Sequence, residues 1–224
     1  MKSQLMTQAE LVRLQASGKT LEQDERGIKV TLLPNGNMLK VFRLRGWFSS
    51  SLAYSNARSF CRNAQRLLKR NIPTVSIIQL IYFKRSTNTA VLYKPLAGET
   101  LNTLVKNNKL TEHHSEALGI FIAKLHEQGI HFKSLHFGNI VLSPQGELGL
   151  IDVADMRIFP WALHTSTRLR GFKRLLRYQQ DIKLFGSDNL AIMIDAYVNA
   201  ANISAQQQLR AKLYLMTQQV TLGN

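Results

Sequence analysis

The chain has 224 residues, 45% of them apolar and 19% charged, which excludes a disordered chain or a fibre and allows one large domain or two small lobes. Lys and Arg number 29 against 14 Asp and Glu, a net charge of +15. That excess favours a polyanionic partner: nucleic acid, an anionic membrane surface or a phosphorylated substrate. The single cysteine, Cys61, excludes a disulfide framework and a multi-cysteine zinc site. No apolar run is long enough for a transmembrane helix, and residues 1–10 lack the apolar stretch of a secretory signal, so a cytoplasmic chain is expected.

The charge is unevenly placed. Between Arg26 and Gly98 there is no Asp or Glu, while Arg26, Lys29, Lys40, Arg43, Arg45, Arg58, Arg62, Arg66, Lys69, Arg70, Lys84, Arg85 and Lys94 lie there. A second acid-free stretch, Met156 to Gln180, holds Arg157, Arg168, Arg170, Lys173, Arg174 and Arg177.

In chain order, β-formers over Ile28–Leu33, a turn at Pro34-Asn35-Gly36-Asn37 and Met38–Phe42 predict a hairpin. Residues 51–70 read as a helix, because Ala57, Phe60, Ala64, Leu67 and Leu68 recur at three and four. Val75–Phe83 and Thr89–Tyr93 predict two further strands. Helices dominate from Leu101 onward. Thr111 suits the cap of a helix running to about Gln128, with Leu118, Phe121, Ile122 and Leu125 as its buried stripe. Ile140–Leu142 and Leu148–Ile151 flank a turn at Pro144-Gln145-Gly146, and helical patterns follow Ser187 and Ser204.

Two segments carry the candidate chemistry: residues 131–139, His-Phe-Lys-Ser-Leu-His-Phe-Gly-Asn, and Ile151-Asp152-Val153-Ala154-Asp155. A short hairpin between them is expected to return Asp152 towards Asn139. A carboxylate and an amide oxygen suit a hard cation such as Mg²⁺, although both residue types also serve as loop caps.

These segments resemble the catalytic loop and metal-binding Asp of the protein-kinase-like fold. More specifically, the chain is similar to the bacterial lipopolysaccharide kinases that phosphorylate Kdo or heptose, and to the toluene tolerance proteins of that group. The resemblance covers roughly Leu21 to Phe185. It implies an α+β, two-lobed protein-kinase-like fold: residues 1–95 form a small antiparallel sheet with one helix, and residues 96–224 a mainly helical lobe. It implies ATP and Mg²⁺ as cofactors, with Lys40 on the nucleotide phosphates, Lys94 and Leu96 in the hinge that binds nucleotide, and Asn139 and Asp152 on the metal. Ser134 falls at the family's catalytic Asp position, and His136 stands beside it.

The departures concern catalysis. Ser134 has no carboxylate to accept a hydroxyl proton. No acid lies near Arg58–Asn63, where the family's helix Glu would pair with Lys40, leaving Glu25 or Glu99 as substitutes from other elements. Asp-Val-Ala stands for the usual Asp-Phe-Gly, and Gly27 is the single glycine of the first strand turn. Two readings follow: a kinase of lipopolysaccharide core biosynthesis acting on an anionic, lipid-linked sugar, or an impaired pseudokinase serving as a regulatory or scaffolding partner in envelope biogenesis. Nucleic acid is suggested by charge alone, without a zinc finger, RNA-recognition signature or helix-turn-helix pattern. Arg168 to Tyr178 interleaves basic residues with Leu169, Phe172, Leu175, Leu176 and Tyr178. That pattern suits either an anionic membrane surface, peripheral at the inner membrane, or packing onto the helical lobe.

Overall fold

The computed structural model describes residues 2–43, 50–84 and 86–222. Arg45 and Arg85 of the first basic stretch lie outside the described residues. The architecture is α+β, with two compact units: Met1–Leu96 with Asp152–Asp155, and Ala97–Ile151 with Met156–Asn224.

The first unit is built on a six-stranded sheet of β1 (Lys2–Met6), β2 (Lys19–Asp24), β3 (Gly27–Leu32), β4 (Met38–Phe42), β5 (Ser76–Phe83) and β6 (Thr89–Lys94), with helices α1 (Gln8–Ala16) and α2 (Ser50–Leu68). The spatial order is β1-β5-β6-β4-β3-β2. The expectation of an antiparallel sheet with one helix is corrected here. Strand β1 runs parallel to β5, from Lys2 opposite Gln79 to Met6 opposite Phe83, so the sheet is mixed. Helix α1 then carries the chain from that edge to the other, where β2 pairs with β3. Its start is fixed by a capping box: the Thr7 hydroxyl accepts from the Glu10 amide (3.2 Å) and the Glu10 carboxylate accepts from the Thr7 amide (2.6 Å).

Both faces of the sheet are covered, which explains why β4 does not alternate cleanly. Leu39 and Val41 point to one face and pack with Leu11 of α1, Ile81, Phe83 and Ala90. On the other face α2 buries Ala57, Phe60, Cys61, Ala64 and Leu67, with the Phe60 ring 5.7 Å from Phe42 and 5.4 Å from Tyr93. Burial pushes the Cys61 thiol up to about 11, so it packs as a small apolar group.

The second unit contains β7 (Glu99–Thr100), α3 (Leu101–Lys106), α4 (Glu112–Glu127), β8 (Ile130–Phe132), β9 (Ile140–Leu142), β10 (Leu148–Leu150), β11 (Met156–Ile158), α5 (Thr165–Leu175), α6 (Gln179–Phe185), α7 (Ser187–Ala200) and α8 (Gln206–Leu222). Thr111 caps α4 as expected, and Leu118, Phe121, Ile122 and Leu125 are buried. Helix α4 meets α7 closely at Gly119, where a Cβ would lie 2.2 Å from the Met193 carbonyl oxygen. The β9–β10 hairpin pairs with β7, and β8 with β11. Gly98, at φ +129°, admits the β7–β9 approach: a Cβ there would lie 2.1 Å from the Leu142 carbonyl oxygen.

Candidate functional site

Lys40 lies in the middle of β4, between Val30 on β3 and Val91 on β6. Its side chain is 8% exposed, and its ammonium sits 5.7 and 5.8 Å from the ring centroids of Phe42 and Phe60. Lys40 Nζ donates to Asp152 Oδ1 at 2.6 Å. The carboxylate on Lys40 therefore comes from Asp152 of the same unit and not from Glu25, which lies in the exposed turn between β2 and β3. Glu99 belongs to the second unit and pairs with Lys109 at 3.4 Å.

Asp152 is held by its surroundings in a left-handed conformation, φ +53°, uncommon for a non-glycine residue although Asp and Asn enter it more readily than most. Asn63 supplies part of that hold. It is almost fully buried on α2, and its Nδ2 donates to the Val153 carbonyl at 2.8 Å. Asn63 closes the interval in which a helix carboxylate was sought; it grips the backbone after Asp152 instead. Its role was missed because an amide reads as neutral when the search is for charge. Burial, and then the Asp152 carboxylate, raise the Tyr93 phenol above its usual range. Lys94 ends β6 exposed to solvent, and Leu96, half-buried, is the last residue before the units change.

In the second unit the loop after β8 carries Lys133, Ser134, His136 and Asn139. Asn139 Nδ2 donates to the Ser134 carbonyl at 2.8 Å, which leaves the Asn139 amide oxygen as its acceptor end. The Ile151 amide donates to the Asn139 carbonyl at 3.0 Å, so the hairpin returns to that residue. Asn139 and Asp152 belong to different units. His136 caps the turn at Phe137–Asn139: its Nδ1 accepts from the Gly138 amide at 3.1 Å, and its ring lies 4.5 Å from that of Tyr178. A neutral ring with an accepting Nδ1 carries its proton on Nε2 and donates from there. Among the described residues no group of three or more His, Cys, Asp or Glu could hold a metal.

Comparison of the chain with protein-family models and with curated proteins found no match.

The second acid-free stretch resolves into residues with different tasks. Arg168 is buried: its Nε donates to the Leu163 carbonyl at 2.7 Å and its Nη1 to Glu127 at 2.9 Å. It is a structural ion pair and no part of a basic rim. Phe172, Leu175 and Leu176 are buried within the unit, so the expected apolar face packs inward. Helix α5 also ends at Leu175, which takes Tyr178 off that face. Arg170, Lys173 and Arg177 remain exposed. Lys133, Arg174, Arg177 and Tyr178 line a pocket of about 480 Å³. Lys133 and Tyr178 gained no weight from the sequence as a pair, because the fold that joins the β8 loop to the end of α5 is not local. Among the described residues no helix is long and apolar enough to cross a membrane.

Proposed function

We propose that the chain has a protein-kinase-like fold and is a nucleotide-dependent phosphotransferase of lipopolysaccharide core biosynthesis, phosphorylating a Kdo or heptose sugar on an anionic lipid. The observation that carries this reading is the Lys40–Asp152 ion pair. A strand lysine sunk between two aromatic rings needs an anion, and a carboxylate held on left-handed backbone supplies it. In a nucleotide complex, ATP phosphates would take Lys40, and Asp152, 44% exposed, would turn its free oxygen to Mg²⁺. The Asp152 carboxylate suits that ion, with phosphates and water completing the shell. Bound Mg²⁺ would neutralise charge on the transferred phosphoryl group. Lys40 orients the phosphates, Asn63 keeps the Asp152 backbone in place, and Lys94 and Leu96 lie in the segment read as the nucleotide hinge.

Ser134 favours a second reading, the pseudokinase with a protein partner in envelope biogenesis. A missing general base costs typically about 10²–10⁴-fold, so turnover on the first reading is slow. Nucleotide titration with and without Mg²⁺ tests both. Lys40→Met should weaken ATP binding and leave the fold intact, since methionine fills the slot between Phe42 and Phe60. Asp152→Asn should remove most of the Mg²⁺ dependence; an unaltered Mg²⁺ response defeats the metal assignment. Phosphotransfer to a core-sugar acceptor separates the active enzyme from the pseudokinase.

A further inference from the structure

The geometry points to the pocket lined by Lys133, Arg174, Arg177 and Tyr178 as a binding site for a phosphate group on the acceptor molecule. This deepens the kinase reading by naming where the acceptor's anion is held, and it rests on that reading only for the identity of the acceptor.

Three cations and a phenol converge on one concavity, and among the described residues no carboxylate lines it. Among the described residues none of the three cations enters an ion pair, whereas Arg168, on the same helix as Arg174, is consumed by Glu127. Like charges gathered without a counter-charge repel one another, and a bound anion relieves that cost. The walls are firm. Arg174 stands one turn before Arg177, whose amide donates to the Arg174 carbonyl at 3.2 Å, and α5 beneath them is anchored by Phe172 and Leu175. The Arg174 guanidinium also donates to His131 Nε2 at 3.3 Å, which fixes its plane. Burial, and then Arg174, Arg170, Lys133 and Arg157, hold the His131 imidazole below its ordinary range, so the ring stays neutral and can accept that bond. The Tyr178 ring rests against His136, leaving its hydroxyl as a further donor. A guanidinium fork beside an ammonium matches a phosphate monoester or pyrophosphate better than a single carboxylate. About 480 Å³ has room for the sugar that carries it.

Equilibrium dialysis of the full chain against labelled inorganic pyrophosphate tests the site. The expected result is one saturable site. Arg174→Gln and Arg177→Gln should each weaken it about tenfold, with Arg174→Lys retaining more affinity than Arg174→Gln. The double variant Lys173→Gln/Lys212→Gln removes exposed charge of α5 and α8 outside the pocket and should bind as the unaltered chain does. Circular dichroism and melting check that each variant is folded. Equal weakening by the outer double variant overturns the proposal, as does the absence of a saturable site. Binding lost in Lys40→Met but kept in the Arg174 and Arg177 variants also overturns it, since the anion would then sit at Lys40. Displacement of pyrophosphate by phosphatidic acid vesicles assigns a lipid headgroup, and its retention assigns a soluble sugar phosphate; both support the pocket. A failed nucleotide titration with the pyrophosphate site intact removes the kinase reading alone.

Discussion

Ser134 contributes its backbone carbonyl to Asn139, a bond that alanine at this position keeps, and its hydroxyl is no carboxylate base. Ser134→Ala should therefore change any phosphotransfer rate by less than about tenfold, well short of the loss of a true general base. Ser134→Asp should raise the rate if the loop retains a productive geometry; steady-state kinetics on the two variants decides. A large loss in Ser134→Ala would show that the hydroxyl itself is needed. His126 makes a prediction of a different kind. It is buried in the second unit, its Nδ1 2.9 Å from the Tyr197 hydroxyl, with Phe172 also against it. Burial, and then the Arg168 charge, lower its pKa from 6.5 to about 3. The unfolded chain therefore binds a proton that the folded chain refuses. The stability this gives is complete above pH 6.5 and is lost as pH falls towards 3. Urea denaturation should show stability falling from pH 6.5 to 5, before most carboxylates titrate, and His126→Phe should flatten that slope.

Single elements were legible where one local rule governs them. The β9–β10 hairpin, the capped α4 and the α2 stripe of Ala57, Phe60, Ala64 and Leu67 each follow from local spacing, while Leu68, expected in that stripe, is exposed at the helix end. Strand β4 was legible as a strand, but its covering on both faces was not, since Leu39 and Val41 depend on α1, an element the apolar spacing did not reveal. Only Leu11 is buried among the apolar residues of α1, and β1 is an exposed edge with little pattern of its own. The Thr7–Glu10 capping box was a readable signal for that helix. Packing between elements yields another prediction. Gly119→Ala gains about 1 kcal/mol of helix propensity, yet its Cβ would strike the Met193 carbonyl. The clash wins, and the variant should lose about 1–3 kcal/mol in a urea titration.

Across the whole molecule, the net charge of +15 predicts attraction to any anionic surface, and the structure restricts its form. With Phe172, Leu175 and Leu176 buried, the basic residues of α5 can hold a bilayer by charge alone. Co-sedimentation with anionic vesicles should occur at low salt and vanish near 1 M, where screening shortens to about 3 Å. Gln at Arg170, Lys173, Arg174 and Arg177 should weaken it strongly, at about 1 kcal/mol per side chain. Persistence in high salt would instead mean inserted apolar surface. The candidate site was legible as a list of residue types but not as a set of partners. Lys40 and Asp152 could each be picked out, while their mutual bond spans 112 positions and arises only from the fold. The topology of β1 and α1 also has a practical outcome. A chain trimmed to begin at Leu21, where the first sequence pattern starts, would lose the strand that caps β5 and the helix that covers Leu39, Val41, Ile81 and Phe83. It would present an unpaired strand edge beside a bare apolar face, the combination that drives sheet-to-sheet association. Such a chain should elute as aggregates in size-exclusion chromatography at concentrations where the full chain does not.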